Sequence, residues 1–273
     1  MRRNDKNRIF LLILVSSLLF SCQSSISSFM TPKTGISNIS DIDKAFDIFS
    51  PEQEYMLGRE TAANILARYQ LYDDKEMTEY LNLICGAITA NSPKPYIFSG
   101  YHVAIVGDES DINLFATPSG HIFITRGMLI NAKSEDELAC VLAYGVATIQ
   151  LEQGIRVIKT YRIDLAITSI GATSPGDVAL MGSSSVERIL SLISMQILEA
   201  DTAALSLLTT AGYDVNAYPE LLKRMNNDNA RGFYSTSFER RILNAEEWIN
   251  RNNIKTNDTS LYRVERFNKI FMR

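Results

Sequence analysis

Residues 111–150 read DINLFATPSGHIFITRGMLINAKSEDELACVLAYGVATIQ, and the apolar period changes within them. His121-Ile122-Phe123-Ile124-Thr125 is β-branched and aromatic and follows the turn residues Thr117-Pro118-Ser119-Gly120, so it reads as a strand. From Ser134 the period becomes helical. Ser134 is an N-cap, Glu137 three residues on completes a capping box, and the run continues to about Gln153, with Gly154 as its stop. A strand feeding a long apolar helix is the local plan on which the rest of the chain is arranged.

Upstream, Tyr101–Val106 is a second strand. Before it, residues 51–70 form a helix with Ser50 as N-cap and Pro51 in the first turn, and residues 74–90 form another, closed by Asn91-Ser92-Pro93. Downstream, residues 160–184 are apolar but broken by Gly171, Pro175, Gly176 and Gly182, and read as a loop with short helical pieces. Helices follow at 186–211, closed by Gly212, then at 216–226, 239–252 and 260–271. The order predicts an α+β domain, mostly helical, with a small sheet.

The 273 residues are 46% hydrophobic and 21% charged, which suits one globular domain. The first 21 stand apart, because Arg2, Arg3, Lys6 and Arg8 precede the apolar run Ile9–Phe20. Its twelve residues span only about 18 Å as a helix, short of a hydrocarbon core of about 30 Å, so the run reads as an export signal. Leu19-Phe20-Ser21-Cys22 resembles a lipobox, with Phe20 bulkier than usual, and makes Cys22 the expected lipidation site. Residues 22–39 are Ser-rich and read as a flexible tether, leaving 40–273 as the domain. Without residues 1–21 the formal charge moves from −4 to about −7, which excludes nucleic acid as a partner on charge. Cys85 and Cys140 lie in apolar helical patterns and read as buried free thiols.

Asp111–Leu129 resembles the "NAFATPGG-x-IFVTRGLL" signature of the HtpX/BepA/Oma-type zinc metallopeptidases (peptidase family M-48), and Ser134–Ala143 resembles their "SEAELAGVLAHE" entry to the active-site helix. Gly58-Arg59-Glu60, Tyr80-Leu81-Asn82, Glu199-Ala200-Asp201 and Ala211-Gly212-Tyr213-Asp214 echo further family segments in the right order. The likeness covers about residues 50–250 and implies a mostly helical, zincin-like α+β domain.

Catalysis in such a fold needs a His-Glu-x-x-His helix, in which two imidazoles one turn apart grip zinc and the glutamate takes a proton from the metal-bound water. The resemblance puts the first histidine at Tyr144, the glutamate at Gly145 and the second histidine at Thr148. It puts the third ligand, a glutamate, at Ile197 and a transition-state histidine at Ser237, while Glu199 and the orienting Asp201 are kept. A phenol, a hydroxyl, an alkyl chain and a bare backbone replace the donors, so no catalytic residue and no cofactor are expected.

What the resemblance leaves intact is the strand after the turn, which in the family is an edge strand pairing with extended substrate. Ser119, Gly120, His121, Ile122, Phe123 and Ile124 are therefore the expected peptide-binding residues, since main-chain pairing needs no catalytic group. The function implied is a membrane-anchored lipoprotein facing the periplasm, binding unfolded or envelope proteins as chaperone or adaptor. The alternative is an active zinc-dependent metalloendopeptidase with a non-standard site. Ser119 and His121 can also be imagined as nucleophile and base, although turn and strand roles account for both.

Overall fold

The structure, a computed structural model, describes residues 48–107, 109–171, 175–227, 238–254 and 261–271, without the side chains of 164–190. The expected signal, the expected tether with Cys22, and Ser237 lie outside the described residues. Nine helices and three strands occur among them: α1 Pro51–Arg68, α2 Lys75–Ala90, β1 His102–Val106, β2 Leu114–Ala116, β3 His121–Thr125, α3 Arg126–Asn131, α4 Glu135–Gln150, α5 Gln153–Gly171, α6 Pro175–Ala211, α7 Ala217–Asn227, α8 Phe238–Arg251 and α9 Leu261–Phe271. The domain is α+β and mostly helical, as the sequence implies.

The sheet runs β1-β3-β2, with β1 parallel and β2 antiparallel to β3. Its alternating pattern splits two cores. Val103, Ile105, Leu114, Ile122 and Ile124 join the main core beneath α2 and α4. Ala62 of α1, Val106, Phe115 and Phe123 form a smaller cluster on the other face. The Ser191–Ala211 half of α6 is apolar enough to cross a membrane, yet Ala200, Ala204, Leu205 and Leu208 of that stretch are fully buried in the main core.

Helix α4 is the hub and packs against α2, α5, α6, α7, α9 and the sheet. Its first turn carries three buried acids, which suits the positive end of the helix. Each is clamped by an arginine from a later element. Glu135 takes Arg266 (Nη2 2.5 Å, Nε 3.0 Å) and the Tyr80 hydroxyl (2.9 Å). Asp136 accepts from the Asp214 N–H at 3.0 Å and lies 3.2 Å from Arg263 Nε. Glu137 is held in a fork by Arg224 at 2.8 and 2.6 Å. Three charged residues in a row thus pin α7 and α9 to the hub.

Two sequence expectations are corrected here. Residues 160–184 are mostly helical: α5 runs to Gly171 and α6 starts at Pro175, a favoured first-turn residue. The mutual packing of α5 and α6 overrides the glycine cost of about 1 kcal/mol each. Gly154 does not end α4; it lies inside α5, where an added Cβ would meet Pro118 Cγ at 3.3 Å. The break falls at Glu152 (φ 54°), whose carboxylate takes Lys94 Nζ at 2.8 Å while the same ammonium caps Gln150 O at 2.9 Å. Cys85 and Cys140 are buried and unpaired with each other.

Candidate functional site

The positions that carry catalysis in the resembling peptidases lie on α4 and α6. Tyr144 is buried at 2% exposure in the main core, with the Arg241 guanidinium 5.0 Å from its ring centre. Gly145 faces the sheet, and an added Cβ would sit 3.1 Å from Leu114 Cδ2 and 3.3 Å from Ile122 Cγ2. Missing bulk there lets α4 lie close on β2 and β3. Thr148 is half-buried and its hydroxyl donates to Tyr144 O at 2.9 Å, the usual way a threonine satisfies itself inside a helix. Ile197 is buried on α6 but belongs to no part of the core cluster that holds Tyr144.

Asp201 and Glu199, the retained acids, have separate surroundings. Glu199 pairs near the surface with Arg156. Asp201 is fully buried and accepts from Arg241 Nε at 3.0 Å, Arg241 Nη2 at 2.8 Å and the Tyr218 hydroxyl at 2.6 Å. Burial opposes the charge of Arg241, yet Asp201 and the neighbouring phenols outweigh it and the guanidinium is held above its ordinary pKa. Burial, then Asp201, pushes the Tyr218 phenol well up. This network ties α6 to α7 and α8.

Sequence reading missed Arg241 and Tyr218. A signal existed for the first: Phe238, Arg241, Ala245 and Ile249 fall at helical spacing and are the buried stripe of α8, so the arginine stands on an apolar face.

A zinc ion does not fit these residues. The four positions offer no imidazole and no carboxylate, the phenol lies beside a fixed guanidinium, and Thr148 spends its hydroxyl on its own helix. Among the described residues no group of three or more His, Cys, Asp or Glu is placed to hold a metal ion.

The expected peptide-binding strand needs correction. β3 is the centre of the sheet, paired along its length with β1 on one side and β2 on the other, so it has no free edge. Ile122, Phe123 and Ile124 are buried. Gly120 (φ 87°) presses on Gly100, whose carbonyl oxygen an added Cβ would overlap. Ser119 does bond His121, Oγ to Nδ1 at 2.7 Å, but at 2% exposure it is out of reach as a nucleophile. His121 alone of the six keeps a half-exposed side chain.

The outer edge of β2 has what β3 lacks. Asn113 O accepts from Thr125 N–H and Thr117 N–H donates to His121 O, so by antiparallel alternation the main-chain groups of Leu114 and Ala116 point away from β3. Leu114 N–H is taken by Asn113 Oδ1 at 2.9 Å. Among the described residues nothing takes Ala116 N–H. The opposite edge, on β1, is closed by Asn82, whose amide both donates to Val103 O and accepts from Val103 N–H at 2.9 Å, and by the strand-like segment at Leu71. Beside Ala116 lies a cleft of about 20 Å³, lined by Thr117, Pro118, Thr148, Glu152 and Glu54. Burial and then the Glu152 charge raise the Glu54 carboxyl above its usual range.

Comparison with known proteins fits this arrangement. The chain is 24% identical over 188 residues to the β-barrel assembly-enhancing protease of Yersinia pestis, covering 64% of this chain and 38% of that protein. It is 31% identical over 164 residues to the mitochondrial metalloendopeptidase OMA1 of Schizosaccharomyces pombe, covering 55% of this chain and 47% of that protein. The chain thus spans less than half the length of these relatives. Residues 84–250, from α2 to the end of α8 and well over half the sequence, match the description Peptidase family M48, and the chain belongs to that family.

Proposed function

We propose that the chain is a cell-envelope lipoprotein, anchored through Cys22, whose peptidase-like domain holds extended segments of unfolded or envelope proteins at the free edge of β2 without cutting them and without a metal. The observation that carries this is the pairing of two features on one cleft. The edge of β2 offers the Ala116 N–H and C=O for strand addition, while Thr148 on the same cleft, and Tyr144, Gly145 and Ile197 at the other catalytic positions, supply no group able to activate water. Relatives named as β-barrel assembly-enhancing proteases support an envelope client.

The test uses fluorescein-labelled, reduced and carboxymethylated α-lactalbumin as an unfolded probe. Fluorescence anisotropy should report binding to the purified protein, and gels of the same mixtures should show the probe intact. Ala116→Pro removes the outward N–H at a position where an edge strand tolerates proline, so binding should vanish with the melting temperature little changed. Equal binding by that variant refutes the edge. Stoichiometric zinc together with chelator-sensitive cleavage would replace the proposal with an active metalloendopeptidase using a non-standard site. Cys22→Ala should move the protein from the membrane fraction to the soluble one.

A further inference from the structure

The chain has two histidines, and the fold sets them side by side. His102 and His121 are direct partners in the parallel register of β1 and β3, with ring centroids 5.8 Å apart. His121 stacks on Phe123 at 6.3 Å and 8°, and its Nδ1 lies 2.7 Å from Ser119 Oγ. His102 Nε2 lies 2.7 Å from Ser99 O, and the Ser99 hydroxyl donates to Ser119 O. His121 therefore meets Ser119 directly, and His102 is connected to it through Ser99. Ser119 is also where α1 rests: an added Cβ on Gly58 would overlap Ser119 N and its Oγ. Helix α1 in turn supplies Glu54 to the cleft whose other wall is Thr117 and Pro118.

We infer that His121, set against His102, forms a proton-operated latch on the β2 cleft, holding α1 against the 117–120 turn while neutral and releasing it when charged. The inference rests on the peptide-holding role proposed for that cleft.

The charges around the pair give the sign. His121 is faced by His102 from β1 and Arg59 from α1, and burial, then His102, then Arg59 all lower its proton affinity. No carboxylate is among the causes that shift His121, so nothing acidic offsets its added charge. A base held below its ordinary value of 6.5 contributes stability that is present above that pH and is lost as pH falls beneath it. The acids on α1 work the other way. Glu54 and Glu60 are raised, in both cases first by burial, so protonating them removes a penalty and favours docking. Glu52 is lowered by its bond from Ser50 at the exposed start of the helix and titrates below the histidine range. Loosening of α1 on mild acidification is therefore assigned to His121.

The experiment is hydrogen–deuterium exchange of the α1 amides in the full chain without peptide, corrected for intrinsic pH dependence, at about pH 7.5 and about pH 5, the range in which histidine titrates. Protection of Pro51–Arg68 should fall several-fold in acid while that of α8 holds, and His121→Gln should abolish the fall. Equal protection of α1 at both pH values, or the same fall in His121→Gln, overturns the latch. If His121→Gln is already unprotected at neutral pH, His102→Gln at the exposed partner carries the test, and an undiminished acid response in it overturns the latch as well. Labelled α-lactalbumin added in a second arm separates the two claims. Binding at neither pH sinks the peptide-holding role, whereas binding that ignores pH sinks the link between latch and cleft.

Discussion

Asp201→Ala is the sharpest test of how this domain is held together. Asp201 and Arg241 are both fully buried, and the carboxylate takes two guanidinium bonds at 2.8 and 3.0 Å and the Tyr218 hydroxyl at 2.6 Å. Truncation leaves a guanidinium in the interior without its counter-charge, a change that costs about 3–5 kcal/mol. At roughly 2–4 °C per kcal/mol for a domain of this size, the melting temperature should drop by roughly 6–20 °C. Arg241→Met should do comparable damage by stranding Asp201. The double variant should be less impaired than the two single losses added, because no buried charge is left alone. Urea denaturation of the wild type, both single variants and the double variant, fitted with m-values, gives the coupling. If each single variant loses less than about 1 kcal/mol, the range of an exposed pair, then water reaches the network and the buried-cation account is wrong.

Gly145→Glu, which restores one residue of the catalytic motif, should unfold the domain, since the new Cβ already crowds Leu114 and Ile122 and the carboxylate would enter the sheet-facing core; a cooperative melt near that of the wild type would contradict the packing. Arg224→Ala frees a buried Glu137 from its fork and should lower stability by about 1.5–3 kcal/mol in urea, with no change in midpoint as the contrary result. Excess EDTA should leave the melting temperature of the purified protein where it was, and a clear fall would expose a bound ion that the donor chemistry does not allow.

Much of the fold was legible because its signals are local. Ser50 caps α1 with a reciprocal box through Gln53, and the His121–Thr125 run is a strand. The capping box at Ser134 is half formed: Ser134 Oγ accepts from Glu137 N–H at 3.2 Å, but the Glu137 carboxylate goes to Lys133 N–H and Arg224. Pairing partners were not legible, and that is where the site reading failed. β2 is three residues long, too short for a period, yet it takes the edge that the sequence assigned to β3. Residues 135–137 and Arg241 likewise look like solvated charge until their partners, up to 131 residues away, are in place.

The features that remain are separable from those that are gone. Asp201 and Arg241 join α6 to α8 through their own bonds, and the β2 edge is held by β3 and by the close approach of α4 at Gly145. Neither depends on an ion between α4 and α6. On the proposed non-catalytic reading, Tyr144, Thr148 and Ile197 at the metal-donor positions remove chemistry without loosening the frame, since Tyr144 and Ile197 are buried apolar mass and Thr148 is satisfied by its own helix. In an ordinary zinc peptidase the ion would also fix where a strand added to β2 must lie to be cut. In the complex proposed for this chain, a strand added at β2 is positioned by main-chain pairing alone, and main-chain pairing reads little of the side-chain sequence. It follows that a surface of this kind should hold many extended segments weakly rather than one tightly.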